Sequence, residues 1–137
     1  MNARILIAED HPASLELMSY LLRAHGYHVL PAEDGEIALA LARSEQPDLI
    51  ICDLQMPGKT GYEVAEAIHR DSRMKNIPLI AVTAFSMLGD REKVLAAGFD
   101  DYVSKPIDAT RFVRQLEPHL PPSLIATRPP RVVRNGT

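Results

Sequence analysis

The chain has no tryptophan and only one cysteine, Cys52, among its 137 residues. A single thiol cannot form an internal disulfide, and a reducing compartment suits it. Long apolar runs are missing too. No stretch approaches the roughly 18 apolar residues that a membrane span needs, and Arg4, Glu9 and Asp10 interrupt any signal-peptide core. Positive charge is not in excess: 15 Lys and Arg against 18 Asp and Glu leave a formal net charge of -3, which argues against general nucleic-acid binding. The glycine-rich fingerprints of P-loops and dinucleotide sites are absent, and so is any internal repeat. The expectation is a cytoplasmic protein with no membrane association and no direct nucleic-acid contact.

What is present fits one domain. At 46% hydrophobic and 24% charged residues, the chain can bury a core and stay soluble. Short apolar runs alternate with longer amphipathic stretches. Arg4 to Ala8 is nearly all apolar and ends in Glu9-Asp10. Pro12 to His25 sets Leu15, Met18, Leu21 and Leu22 on one helical face, and Gly26 stops it. Tyr27 to Pro31 reads as a strand, and Asp34 to Arg43 as a helix with Ile37, Ala38 and Leu41 inward. Asp48 to Asp53 is a second strongly apolar strand that ends in an acid. After a turn at Met56-Pro57-Gly58, Gly61 to Arg70 reads as a helix with Val64, Ala67 and Ile68 on one face. Pro78 to Thr83 is a strand, Met87 to Ala97 a helix stopped by Gly98, and Phe99 to Ser104 a short strand region. Asp108 can cap a last helix that buries Phe112, Val113 and Leu116.

Strands alternating with helices predict a parallel sheet covered on both faces, and the lack of period-2 alternation in the strands agrees with that. Residues 118–137 break the pattern, with five prolines, three arginines and no acid. Residues 120–137 read as a disordered tail or linker, and Leu124-Ile125-Ala126 as too small a piece to form a domain.

In open parallel sheets, ligands bind at the carboxyl ends of the strands. Those ends carry Glu9-Asp10, Asp53, Thr83 and Lys105. Clustered carboxylates repel one another unless a cation sits among them, and an oxygen-ligated ion such as Mg²⁺ (or Mn²⁺) suits them. A carboxylate there can attack phosphorus and form an aspartyl phosphate. Lys105 and Thr83 can hold the phosphoryl oxygens.

These residues, in this order and strand context, resemble the receiver domains of two-component response regulators over residues 3–117. The stretch Val82-Thr83-Ala84-Phe85 and the run Asp101 to Pro106 resemble in particular single-domain DivK-like receivers and those of hybrid kinases. The resemblance implies a CheY-like, flavodoxin-like (βα)5 sandwich over residues 1–119, with a five-stranded sheet of order 2-1-3-4-5. It implies that Asp53 is the phospho-acceptor and Asp10 a direct metal ligand. Glu9 would act largely through metal-bound water, and the Gln55 backbone carbonyl would be a further ligand. Thr83 and Tyr102 match the family's switch pair, Ala84 follows Thr83, and the Lys105-Pro106 bond is expected to be cis. Gln55 and Phe85 should border the phosphoryl group and tune its lifetime. The donor would be a sensor histidine kinase or a histidine phosphotransfer protein. A downstream protein partner would bind the surface of the fourth helix, fifth strand and last helix, here including Met87, Leu88, Tyr102 and Ala109 to Phe112. The receiver itself would be a monomer or weak homodimer, and a self-catalysed switch rather than a turnover enzyme.

Each element also has an ordinary reading. Glu9-Asp10 could begin a solvated loop, and Asp53 could cap a turn. Cys52 is a core residue by its strand context, the five histidines lack ligand spacing, and Met56 and Met87 read as rim or loop fillers. A phosphatase of the haloacid-dehalogenase type would need a second Asp where Gln55 stands. A flavodoxin-like FMN carrier would need a phosphate loop where Glu9-Asp10 would repel it.

Overall fold

The structure is a computed structural model. It describes residues 2–84 and 88–126, with the side chains of 88–90 excepted. Five strands and five helices alternate: β1 (Arg4–Ala8), α1 (Pro12–Ala24), β2 (His28–Ala32), α2 (Gly35–Glu45), β3 (Leu49–Asp53), α3 (Gly61–Arg70), β4 (Leu79–Thr83), α4 (Leu88–Ala96), β5 (Asp101–Ser104) and α5 (Phe112–Leu116). Every strand pairing is parallel, in the order β2-β1-β3-β4-β5. The flavodoxin-like arrangement expected from the sequence is therefore the observed one.

The sheet has two buried faces because successive side chains point to opposite sides. Leu6, Ala8, Ile50, Cys52, Leu79 and Ala81 form one core with Val64, Ile68 and Phe99. Ile5, Ile7, Leu49, Ile51, Ile80 and Val82 form the other with Met18, Leu22, Phe112 and Leu116. Continuous burial along β3 and β4 explains why neither strand alternates in sequence.

Side-chain caps start α2 and α3 but not α1 or α5. Asp108, expected to cap the last helix, instead accepts from the Thr110 N–H and hydroxyl in the turn ahead of it, and α5 starts after Arg111 without a side-chain cap. Asp34 Oδ1 accepts from the Ile37 N–H at 2.8 Å. Thr60 and Glu63 close a reciprocal capping box ahead of α3. Helix α2 departs from the expected face. Gly35, Ala38, Leu39 and Ala42 are buried, Leu41 is half-buried, and Ile37 is 45% exposed. The buried stripe is made largely of small residues because α2 lies tight against the loop before α3. A Cβ on Gly35 would sit 2.6 Å from the Lys59 carbonyl oxygen. Met56 is also not at the rim, since it is 5% exposed and belongs to the α2–α3 core.

The start of the expected tail packs on the domain. After α5 the chain makes two short 3-10 turns, Glu117–His119 and Pro122–Leu124. Leu120 is buried, and Leu124, Ile125 and Ala126 pack against the α1–α5 core. The Tyr27 hydroxyl holds the crossing, donating to Glu117 Oε2 at 2.6 Å and accepting from the Ala126 N–H at 2.9 Å. Packing thus continues past residue 119, because these apolar side chains cover the corner between α1 and β2. Residues 127–137 lie outside the described residues, as do Phe85 and Met87. Among the described residues, no helix is long and apolar enough to cross a membrane.

Candidate functional site

Parallel pairing brings the carboxyl ends of β1, β3 and β4 to one edge, and the loop after β5 returns beside them. Register fixes this edge: Leu54 N–H bonds to Val82 O at 3.1 Å, and Lys105 N–H to Thr83 O at 2.8 Å. Glu9 is fully buried, Asp53 is 5% exposed and Thr83 2% exposed. Asp10, Gln55 and Ala84 are exposed, and Tyr102 and Lys105 are half-buried.

The charged groups converge. One oxygen each from Glu9, Asp10 and Asp53 lie within 4.8 Å of one another. Lys105 Nζ stands 3.3 Å from Asp53 Oδ2 and 3.2 Å from both oxygens of Glu9. The other Asp53 oxygen, Oδ1, accepts from the Gln55 N–H at 3.1 Å, and Glu9 Oε2 accepts from the His11 N–H at 3.1 Å. Glu9 Oε1 has no hydrogen-bond partner among the described residues.

The titration behaviour follows from this crowding. Burial first, then the hydrogen bond and negative charge of Asp53, push the Glu9 carboxyl up to about 7, against the opposing pull of the His11 N–H and Lys105. Burial pulls the Lys105 ammonium down, but Asp53 and Glu9 outweigh it and the net shift is upward. Burial, aided by Asp53 and Glu9, drives the Cys52 thiol up, so it stays protonated and inert in the core.

A divalent cation fits this donor set. The three carboxylates are hard oxygen ligands, two of them are held in the protein interior, and the buried Glu9 Oε1 meets the Lys105 ammonium at 3.2 Å without a well-directed hydrogen bond. No histidine joins the cluster. One ammonium faces two buried carboxylates, which leaves negative charge for a cation to offset.

Thr83 and Tyr102 share a face of the sheet. Thr83 pairs with Ser104, and Tyr102 pairs with Ala81, one same-side step back along β4. Tyr102 packs on the core beneath α3 and α4. The Lys105-Pro106 peptide bond is cis.

Gly61 is part of the site's construction and carries no obvious chemical signal. Its N–H bonds to Leu54 O at 3.1 Å, which closes the loop that follows Asp53. Its Cα faces the Asp53 carbonyl so closely that a Cβ would stand 2.4 Å from that oxygen. The sequence signal for it was the Thr60 to Glu63 capping box, which places Gly61 at the first position of a helix.

Comparison with known proteins agrees with this geometry. A sequence profile of the response regulator receiver domain matches residues 5–117. The polar-differentiation response regulator DivK of Brucella ovis is 39% identical over 120 residues, which span 88% of this chain and 98% of that protein. Among solved structures, the chemotaxis protein CheY4 of Vibrio cholerae superposes with a TM-score of 0.83 at 29% identity, covering 88% of this chain and 100% of that one. The receiver domain of sensor histidine kinase PA1611 from Pseudomonas aeruginosa gives a TM-score of 0.80 at 33% identity, covering 87% of this chain and 98% of that one, and holds a magnesium ion in its active-site cleft. A profile that spans nearly the whole described fold and relatives matched end to end have one common meaning: the chain belongs to the response regulator receiver family, the phosphorylation-dependent switches of two-component signalling.

Proposed function

We propose that Asp53 accepts the phosphoryl group from a phosphohistidine on a sensor histidine kinase or phosphotransfer protein. The observation that carries this reading is the setting of Asp53. It is a nearly buried carboxylate whose two oxygens are oriented separately, Oδ1 by the Gln55 N–H and Oδ2 by Lys105. One Asp53 oxygen forms the new bond to phosphorus as the phosphorus–nitrogen bond breaks, and the electron pair leaves on the imidazole. Lys105 is already placed to neutralise the incoming phosphoryl oxygens, and Thr83 lies on the same edge to bond one of them.

Glu9, Asp10 and Asp53 would hold Mg²⁺ (or Mn²⁺), with the Gln55 backbone carbonyl as a further ligand. Such an ion would supply positive charge that offsets the repulsion between the dianionic phosphoryl group and the three carboxylates. Thr83 and Tyr102 form the switch pair, with Ala84 the small residue beside Thr83. The altered surface of α4, β5 and α5 then selects a protein partner. Hydrolysis of the aspartyl phosphate is self-catalysed, with Gln55 bordering the water's approach; Phe85, the second residue expected there, lies outside the described residues. The protein acts as a cytoplasmic monomer or weak homodimer, without direct contact to nucleic acid.

The test is phosphorylation by acetyl phosphate in Mg²⁺. Asp53→Asn should take up no label, because an amide oxygen is not a usable nucleophile. Label at the wild-type level on the variant places the acceptor elsewhere.

A further inference from the structure

Among its described side chains, helix α4 is held to the domain by little apolar packing. Of its side chains from 91 to 96, only Val94 is buried, and Leu95 is 40% exposed. Two other contacts among the described residues join it, or the turn that follows it, to α3. The Lys93 ammonium lies over the Tyr62 ring, 5.3 Å from its centroid. His69 Nε2 is 2.8 Å from the Gly98 carbonyl, just beyond the end of α4. The Tyr62 ring also meets Phe99 edge-on, with centroids 6.3 Å apart and planes at 81°.

Tyr62 therefore joins two parts of the molecule. On one side it receives α4 through Lys93 and the approach to β5 through Phe99. On the other it follows Gly61, whose N–H bonds to Leu54 O and whose Cα abuts the Asp53 carbonyl. The ring is not tightly enclosed. An open groove of about 600 Å³ next to Gln55, Pro57 and Lys93 flanks it on one side. A second, of about 610 Å³, runs past Glu66, His69 and Gly98 on the other.

We propose that Tyr62 is a positioning residue that couples the Asp53 loop to α4, by a route separate from Thr83 and Tyr102. The proposal rests on Asp53 as the phospho-acceptor. A new phosphoryl charge beside the Gln55 N–H and Lys105 pulls on the 54–60 loop. The Gly61 contacts pass that displacement to the first turn of α3. The Tyr62 ring moves with that turn, because the grooves on both sides leave it room. Its face carries the cationic end of Lys93, so α4 follows or loses the contact.

The experiment uses the full chain with Mg²⁺ and beryllofluoride, read by amide NMR shifts, with Tyr62→Leu, Tyr62→Phe and Lys93→Met as variants. Beryllofluoride-induced shifts at Leu54 and Gln55 should match wild type in all three. Induced shifts at Val94, Leu95 and Ala97 should shrink in Tyr62→Leu and Lys93→Met and persist in Tyr62→Phe, which keeps the aromatic face. Before any ligand is added, hydrogen exchange at the Ala97 N–H, bonded to Lys93 O at 3.1 Å, should speed up about two- to fivefold in Tyr62→Leu, the factor expected for an exposed cation–π contact. Wild-type induced shifts along α4 in Tyr62→Leu overturn the coupling, as does their equal loss in Tyr62→Phe. If Tyr62→Leu fails to fold, the surface variant Lys93→Met decides by the same criterion. In wild type, shifts at Gln55 without shifts along α4 overturn the coupling alone. No shift even at Gln55 removes the acceptor reading, and the coupling with it.

Discussion

Replacing Gly61 by alanine should damage the fold and the acidic site together. A Cβ at this position would stand 2.4 Å from the Asp53 carbonyl oxygen, 2.7 Å from Leu54 Cα and 3.1 Å from the Asp53 carbonyl carbon. All three are backbone atoms, so no side-chain rotation relieves the contact. The start of α3 must retreat from the end of β3 by roughly 0.6 Å or more to reach even a tight carbon–oxygen contact. Overpacking of this kind costs about 1–3 kcal/mol, which lowers Tm by roughly 5–12 °C in a domain of this size. The retreat also drags Leu54 and Gln55, since the Gly61 N–H bonds to Leu54 O. Asp53, with the Gln55 N–H that orients its Oδ1, then shifts relative to Glu9 and Asp10, and Mg²⁺ affinity should fall about tenfold, as for other small misplacements of a positioned group. Circular dichroism suits the melting measurement, since the chain has no tryptophan to report by fluorescence, and calorimetric titration gives the Mg²⁺ affinity. Gly58→Ala is the control. Its φ of +75° strains an alanine, but no atom lies within 4 Å of the added Cβ. It should lose about 1 kcal/mol of stability and bind Mg²⁺ as wild type does. A Gly61→Ala protein with wild-type Tm and wild-type Mg²⁺ affinity would refute the argument that this close approach shapes the site.

Three further outcomes follow from named contacts. In chelator, the Glu9 carboxyl titrates near 7 instead of 4.5, so the folded state binds more protons than the unfolded one between those values. Stability then falls as pH rises through that window and stays lowered above it. Glu9→Gln should be the more stable protein at pH 8, by on the order of 2–3 kcal/mol, with the advantage gone below about pH 4.5; denaturant titrations at the two pH values measure it, and a pH-independent difference would contradict it. Asp10→Ala should weaken Mg²⁺ binding more than Glu9→Ala, because Asp10 is the exposed carboxylate open to a direct bond while Glu9 is shared with Lys105; calorimetric titration of both variants tests the order, and equal affinities would count against it. Tyr27→Phe deletes the hydroxyl that holds Glu117 and the Ala126 N–H, so it should cost about 1–2 kcal/mol and expose residues 120–126 to proteolysis; an unchanged melting curve and unchanged cleavage pattern would show that the segment is held by its apolar contacts alone.

How much of this was legible in the sequence depended on whether the signal was local. The apolar runs of β1, β3 and β4 are buried on both sides, so their composition alone marked them, and the acids that end β1 and β3 stood out as abrupt breaks. The site was legible for the same reason: in a parallel sheet, strand ends that are far apart in sequence must meet at one edge. Contacts between helices were not legible. The buried face of α2 runs through Gly35, Ala38, Leu39 and Ala42 because close approach rewards small residues, whereas hydrophobic size favours Ile37, which is exposed. Met56 lies in a loop by pattern and in the core by packing, because the loop from Leu54 to Gly61 folds back over the sheet edge. Prolines 118, 121 and 122 end the helical pattern and so suggested a tail. They do not prevent burial, and the side chains of Leu120 and Ile125 reach the α1–α5 core through two 3-10 turns that tolerate them. Gly61 and Tyr62 combine both kinds of signal. The capping box before them is local and readable, but their consequence for Asp53 and Lys93 depends on distances below 6 Å across three elements. Only the folded chain brings those atoms together, so the set of residues gathered at the acidic edge was readable from the sequence while the contacts that hold the Asp53 loop and pack Tyr62 against Lys93 were not.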